Sequence, residues 1–367
     1  MASDEIQKVT MPKWGLSMRT GKIVEWFVEE GDEVAKGDDL VDIDTDKIAG
    51  TLESTATGPL RKIIARADQE LPIGATLALV APADVSDDAI AAAAADAEAE
   101  LEALAAAAQA GDDGPQPESL TVDGRTISYL TMGEGDADPV VLVHGFGGDK
   151  NSWLFVQQPL SGSRPVHALD LPGHGASTKD VGDGSLDTLA GAVTGFLSSL
   201  GIERAHLVGH SLGGAVIATV ARAEPARVAS LTLLSPAGYG GTPNAGYLRG
   251  FASAESRKQL KPLLGDLFAD PGQVTRQLVD DLLKYKRLDG VPAALQSVLG
   301  TLLTDDDVQA IDTPALLDGV DVPVTVIWGA EDKILPKPEG VDNVPGGHML
   351  HMESANEVTR RIEEVVG

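Results

Sequence analysis

The stretch A-H-L-V-G-H-S-L-G-G-A, Ala205 to Ala215, carries an apolar run (Leu207, Val208) into Gly209-His210-Ser211-Leu212-Gly213 and on into small residues with helical spacing. This is G-x-S-x-G between a strand and a helix. A serine at so sharp a turn needs neighbours without side chains. The strained turn lifts its hydroxyl above the sheet edge, and the helix N-terminus behind it favours developing negative charge. Ser211 is the candidate nucleophile, and its standing depends on partners elsewhere in the chain.

From about Ser119 onward, short Val/Leu/Ile runs alternate with helical patterns. Strands are expected over 125–131, 140–144, 164–169, 205–208, 228–234 and 322–328. Such runs separated by helices indicate a largely parallel α/β sheet, with its chemistry at the strand C-termini. Three further pieces fall at those ends. His144-Gly145-Phe146-Gly147-Gly148 follows V-V-L-V. The backbone N–H groups of Phe146 and Leu212 would form an oxyanion hole, each donor worth roughly 3 kcal/mol in a tetrahedral transition state. V-I-W-G-A-E-D ends at Asp332, a better positional match for the acid than Glu331. P-G-G-H supplies His348, which its preceding glycines favour over His351. The chain order Ser211, Asp332, His348 is that of a nucleophile, an orienting acid and a general base. His144 and His174 read as structural, and His210 fills the variable position of the turn.

With D-L-P-G-H-G (Asp170 to Gly175) and G-H-x-x-x-x-E (Gly347 to Glu353), residues 119–367 resemble the α/β-hydrolases. The likeness is weakest over about 237–314. There the resemblance implies a helical lid, inserted between two late strands, that sets substrate access; helical runs are expected over 276–285 and 293–303.

Residues 1–80 alternate short β-like runs with glycine and acidic turns. Gly21, Ile23, Trp26, Glu33, Val34, Gly37, Leu40 and Ile43 recur 37 residues later as Gly58, Leu60, Ile63, Glu70, Leu71, Gly74, Leu77 and Val80. Two similar halves suggest a flattened all-β barrel with pseudo-two-fold symmetry. At their junction lies Asp44-Thr45-Asp46-Lys47-Ile48-Ala49-Gly50, a polar turn between β runs that reads as a protruding hairpin. Through this turn, M-P-K-W-G-L-S-M (Met11 to Met18), E-E-G-D-E-V-A-K-G-D (Glu29 to Asp38) and G-P-L, the module resembles the lipoyl domains of 2-oxo acid dehydrogenase complexes. That resemblance implies lipoate in amide linkage on Lys47. Biotin carriers flank their lysine with methionines, whereas Asp46 and Ile48 stand here.

Residues 81–118 read as an Ala/acid-rich linker. No Lys or Arg occurs from Ala67 to Gly124, and Asp88 to Ala110 has strong helix propensity but few large apolar residues with which to bury a face. A self-repelling spacer, part helical and part extended, is expected. The whole chain of 367 residues has a formal charge of −28, which argues against nucleic acid and anionic membrane as partners. It has no cysteine, so disulfides, Cys-ligated metal and cysteine nucleophiles are excluded, any sulfur redox chemistry would need a cofactor, and no metal site is read. With no secretory signal and no apolar span of about 20 residues, a cytoplasmic protein is expected.

A lipoyl domain joined to a serine acyl-transfer domain resembles the acyltransferase component of some bacterial acetoin dehydrogenase complexes. The resemblance implies dihydrolipoyllysine-residue acetyltransferase activity, with acetyl passing from lipoyl-Lys47 to coenzyme A, by way of acyl-Ser211 if the triad takes part. It also implies two partners: thiamine-diphosphate acetoin dehydrogenase subunits and a dihydrolipoamide dehydrogenase. The H-x-x-x-D-G motif of the usual acyltransferase domain and the basic subunit-binding domain are both missing, so complex symmetry does not carry over. Homo-oligomerisation is left open. The alternative is a serine thioesterase or carboxylesterase with a lipoyl delivery arm. No phosphate-binding loop or basic cluster stands out in the sequence to mark a coenzyme A site.

Overall fold

The computed structural model describes residues 6–12, 20–44, 49–54, 56–109 and 115–367. The chain divides into two units, Met1–Gly114 and Pro115–Gly367.

In the first unit eight short strands follow one another: β1 (Gln7–Thr10), β2 (Thr20–Trp26), β3 (Glu33–Val34), β4 (Asp39–Asp44), β5 (Ala49–Glu53), β6 (Gly58–Ile63), β7 (Glu70–Pro72) and β8 (Thr76–Val80). They form two antiparallel four-stranded sheets, ordered β1-β8-β6-β3 and β5-β4-β2-β7. Each half of the repeat gives two strands to each sheet. The repeated apolar positions fill one core: Ile23, Leu60, Leu40 and Leu77 are all fully buried. Gly37 and Gly74, equivalent in the repeat, have φ of +95° and +81°, a conformation that side chains resist. β4 and β5 pair with Asp44 opposite Ala49. Lys47, between them in sequence, lies outside the described residues.

The stretch read as a spacer holds α1 (Asp87–Gln109). Contrary to the expectation that it lacks the means to bury a face, Ile90, Ala94 and Ala97 are buried. Ile90 and Ala94 pack against Leu79 of the module and against Ala81 and Val85 just beyond it. Small alanines let the helix approach closely, and the sheet supplies the bulk that the helix lacks.

The second unit runs β9 (Glu118–Val122), β10 (Arg125–Met132), β11 (Val140–Val143), α2 (Leu154–Leu160), β12 (Val166–Leu169), α3 (Leu186–Ser199), β13 (Ala205–His210), α4 (Leu212–Ala223) and β14 (Val228–Leu234). An insertion of helices follows: α5 (Ala245–Ser253), α6 (Arg257–Gly265), α7 (Arg276–Lys286), α8 (Val291–Leu302) and α9 (Thr313–Leu317). The chain closes with β15 (Val324–Gly329), β16 (Asp342–Val344), α10 (Leu350–Glu353) and α11 (Ala355–Val366).

The eight-stranded sheet is ordered β16-β15-β14-β13-β11-β12-β10-β9. It is parallel from β12 to β16, and β10 runs antiparallel to its neighbours β12 and β9. Every residue of β11 and β14 is buried, as strands covered on both faces require. Successive residues of β13 serve opposite faces. Leu207 packs with residues of α3 and α4, and Val208 with residues of α2 and α11. Among the described residues no helix is long and apolar enough to cross a membrane.

Candidate active site

Ser211 lies between β13 and α4 with φ 53° and ψ −117°. This strained conformation for a residue with a side chain costs of order 1–3 kcal/mol. The surroundings enforce it. The Ser211 N–H donates to Leu234 O at 2.9 Å, and its carbonyl accepts from Gly214 and Ala237, both at 3.0 Å. A Cβ on Gly209 would fall 2.4 Å from Gly213 O, and one on Gly213 would fall 2.2 Å from Val143 O. Both glycines of G-x-S-x-G are therefore demanded by close backbone approach.

β15 ends at Gly329, and the chain turns to present Asp332. Its Oδ1 accepts from the N–H groups of Ile334 (2.8 Å) and Leu335 (2.9 Å), leaving Oδ2 to face His348 Nδ1 at 2.8 Å. Both side chains are buried. Burial pushes the Asp332 carboxyl up, but the charge and hydrogen bond of His348 and the two backbone donors outweigh it and hold the group below the usual range. An ionised carboxylate only accepts, so Nδ1 of His348 carries the proton. Among the described residues Nε2 of His348 has no hydrogen-bond partner. Glu331, the competing acid, is exposed, with its backbone N–H on Gly346 O.

The histidine loop is as closely packed as the serine turn. A Cβ on Gly329 would meet Gly347 O at 1.9 Å. Glu353 accepts from Gly347 N at 2.7 Å and from Ala269 N at 2.9 Å, which gives the final residue of the G-H-x-x-x-x-E pattern its physical reason. The competing His351 is fully buried, with its ring centroid 4.5 Å from Trp153 and 4.6 Å from His210. Burial first, then the charges of His348 and His144, push it down to about 3. It is neutral and meets no carboxylate among the described residues.

His210, at the variable position of the serine turn, joins the two loops. Its Nε2 donates to the His348 carbonyl at 2.8 Å. The residue beside the nucleophile thus fixes the loop that carries His348. The oxyanion turn closes on the same point: a Cβ on Gly145 would fall 2.8 Å from His210 Nδ1 and 3.0 Å from Ser211 Cβ. In that turn, among the described residues, no backbone acceptor engages the Phe146 N–H. Leu212 opens α4, so its N–H has no intrahelical acceptor. His144 donates from Nδ1 to Gly145 O at 2.7 Å and accepts from Leu171 N at 3.0 Å, a structural role. A second tie went unseen in the sequence. Asp170 binds the Lys150 N–H and Nζ, each at 2.7 Å, and Ala176 N at 2.8 Å, pinning the D-L-P-G-H-G loop to the oxyanion segment.

The inserted helices reach this turn. A Cβ on Gly147 would fall 2.2 Å from the Phe251 ring of α5. Lys286 of α7 donates to the carbonyls of Phe251 and Ala252 and lies 4.9 Å from the centroid of the Phe251 ring. Burial lowers its ammonium to about 8. Among the described residues no cluster of three or more His, Cys, Asp or Glu is placed to hold a metal.

A family model described as alpha/beta hydrolase fold matches residues 138–353, and one described as Biotin-requiring enzyme matches residues 7–80. A dihydrolipoyllysine-residue acetyltransferase component of the acetoin cleaving system from Pseudomonas putida is 44% identical over 366 residues, covering 98% of this chain and 98% of its own. Its namesake from Cupriavidus necator is 43% identical, covering 100% of this chain and 98% of its own. The chain belongs to this family. Both of its units are spanned by these relatives, whereas several solved structures match 68% of the chain. A 2-hydroxy-6-oxo-6-phenylhexa-2,4-dienoate hydrolase from Rhodococcus is 20% identical, with a TM-score of 0.60, covering 68% of this chain and 98% of that one. At that identity the likeness shows the fold alone.

Proposed function

We propose that this protein is the dihydrolipoyllysine-residue acetyltransferase of an acetoin dehydrogenase complex, passing acetyl from a dihydrolipoyl thioester to coenzyme A by way of Ser211. The observation that carries the reading is the full-length kinship with acetyltransferase components, together with the buried Asp332–His348 pair beside a strained serine turn. Lys47 would hold the lipoate. The β4–β5 pairing on either side of it suits a lysine presented on a hairpin, and the group would supply the thiol that carries acetyl.

In the second unit, Ser211 Oγ attacks the thioester carbonyl as its proton passes to His348 Nε2. Asp332 holds the tautomer and stabilises the imidazolium. The N–H groups of Phe146 and Leu212 receive the oxyanion. The C–S bond breaks, and His348 returns the proton to the leaving sulfur. The coenzyme A thiol then gives its proton to His348 and attacks the acyl-serine, and Ser211 recovers its hydrogen. Helices α5 to α9 would act as the lid over this site. Thiamine-diphosphate acetoin dehydrogenase subunits would load the carrier and a dihydrolipoamide dehydrogenase would reoxidise it, with the cytoplasm as the setting.

Free acetyl-dihydrolipoamide, supplied with and without coenzyme A, tests the reading through the ratio of acetyl-coenzyme A to acetate. Acetyl-coenzyme A should dominate and should vanish in Ser211→Ala. Acetate as the main product at saturating coenzyme A would make the protein a thioesterase instead. Transfer that survives Ser211→Ala would move the chemistry away from this serine.

A further inference from the structure

The insertion carries three cations close together on α6, and the fold brings a fourth to them from outside it. Arg257, Lys258 and Lys261 on α6, with Lys333 from the loop after β15, line one cleft of about 580 Å³. That volume is in the range of small-molecule sites. The chain as a whole carries −28, so a concentration of cations here runs against its composition. Arg257 is already engaged, holding Asp280 through both carboxylate oxygens. Lys333 reaches Phe268 O at 3.3 Å. Lys258 and Lys261, three apart on the helix, form no ion pair among the described residues. Asp266 is the acid in the lining, so cations exceed acids there even with Arg257 discounted.

The cleft is tied to the candidate active site. Lys333 directly follows Asp332. The lining runs on from Gly265 and Asp266 into Leu267–Ala269, which backs the histidine loop: Met349 N donates to Leu267 O at 3.1 Å, and Glu353 links Ala269 to Gly347. Coenzyme A separates its thiol from its phosphates by the pantetheine arm. Its phosphate site therefore belongs an arm's length from the nucleophile, on the surrounding wall.

We propose that this cleft seats the phosphates of coenzyme A, with Lys258 and Lys261 as their principal contacts. The proposal rests on the acetyl-transfer reading. Flexible ammonium groups suit a polyphosphate that must be held and then released. Pro262, Pro271 and Val274 supply an apolar wall for the nucleotide base.

The test uses the full lipoylated chain, free acetyl-dihydrolipoamide as donor, and coenzyme A or pantetheine as acceptor. Wild type should prefer coenzyme A, and in K258E/K261E that preference, read as the ratio of kcat/KM values, should fall about tenfold or more, with the charge-neutral K258Q/K261Q intermediate. An unchanged ratio, or no preference in wild type, overturns the proposal while leaving transfer intact. If neither thiol accepts acetyl, the transfer reading fails, and calorimetric titration with adenosine 3′,5′-bisphosphate decides the cleft. Binding that weakens with salt and is lost in K258E/K261E supports it, and no binding overturns it. Slower turnover of the tethered acetyl-lipoyl donor alone, at an unchanged coenzyme A preference, would mean that the cleft meets the acidic carrier module, which also overturns the proposal.

Discussion

The two units present their candidate functional residues by different physical means. In the first, two copies of one pattern build two sheets, and Lys47 falls in sequence where the copies join, flanked by the paired ends of β4 and β5. In the second, Ser211, Asp332 and His348 come from three separate turns, packed so closely that glycines at 209, 213, 329 and 347 each exclude a Cβ. A carrier group needs only presentation, whereas a reacting group needs its surroundings fixed to fractions of an ångström. The first kind of site tolerates its environment, and the second is made by it.

The sharpest break between them is chemical. Ser211→Ala should lower turnover of an acetyl aryl ester by about ten-thousandfold or more, while lipoate attachment, read by mass spectrometry, persists on Lys47. Lys47→Arg should abolish attachment altogether. Label found on Lys36 or Lys62 would refute the repeat-based placement.

Acid should separate the units next. All seven histidines lie in the second unit. His351 and His174 are pushed down to about 3, chiefly by burial, and His210 is pushed well down too. The unfolded chain takes up these protons near pH 6.5, and the folded unit refuses them. Their stabilising effect is thus complete above pH 6.5 and is lost as pH falls towards 3, by up to about 1.4 kcal/mol per pH unit for each histidine. Scanning calorimetry between pH 7 and 5 should show the second unit's transition moving down and the first unit's holding. Parallel shifts would mean that the buried histidines are not the cause.

Much of this was legible in advance. G-x-S-x-G, the acid at a strand end and the late histidine are local patterns in a fixed order, and the repeat exposes the module's symmetry. The unread edge strands lack a long apolar run, and the other unread parts depend on partners distant in sequence. β9 and β16 are edge strands, and the polar Asp342-Asn343-Val344 carries no apolar run. The role of His210 exists only once Gly347–His348 folds over it. Lys150 reads as a surface residue until Asp170 is placed against it. Arg257–Lys261 looks like an ordinary helix face until Lys333, over seventy residues on, completes the cleft.

The smallest effect tests α1, where propensity was legible and docking was not. Ile90, 5% exposed, packs against the module. Ile90→Ala should cost the first unit about 2 kcal/mol in chemical denaturation and leave the second unit's transition in place. A cost near zero would mean that the helix contributes nothing to the module's stability.

The exchange of strands in the first unit has a consequence for its assembly. β1 and β3 lie beside β8 and β6 of the other half, and β5 and β7 beside β4 and β2. Neither half contains a whole sheet, so a lone half would find its missing neighbours only in a second molecule. Its folding would then depend on protein concentration. Joining the halves in one chain makes that encounter intramolecular, with an effective concentration set by the connection rather than by the solution. The connection is residues 45–48. The segment that carries the candidate carrier lysine is also the one that turns a dimer of halves into a single folded domain.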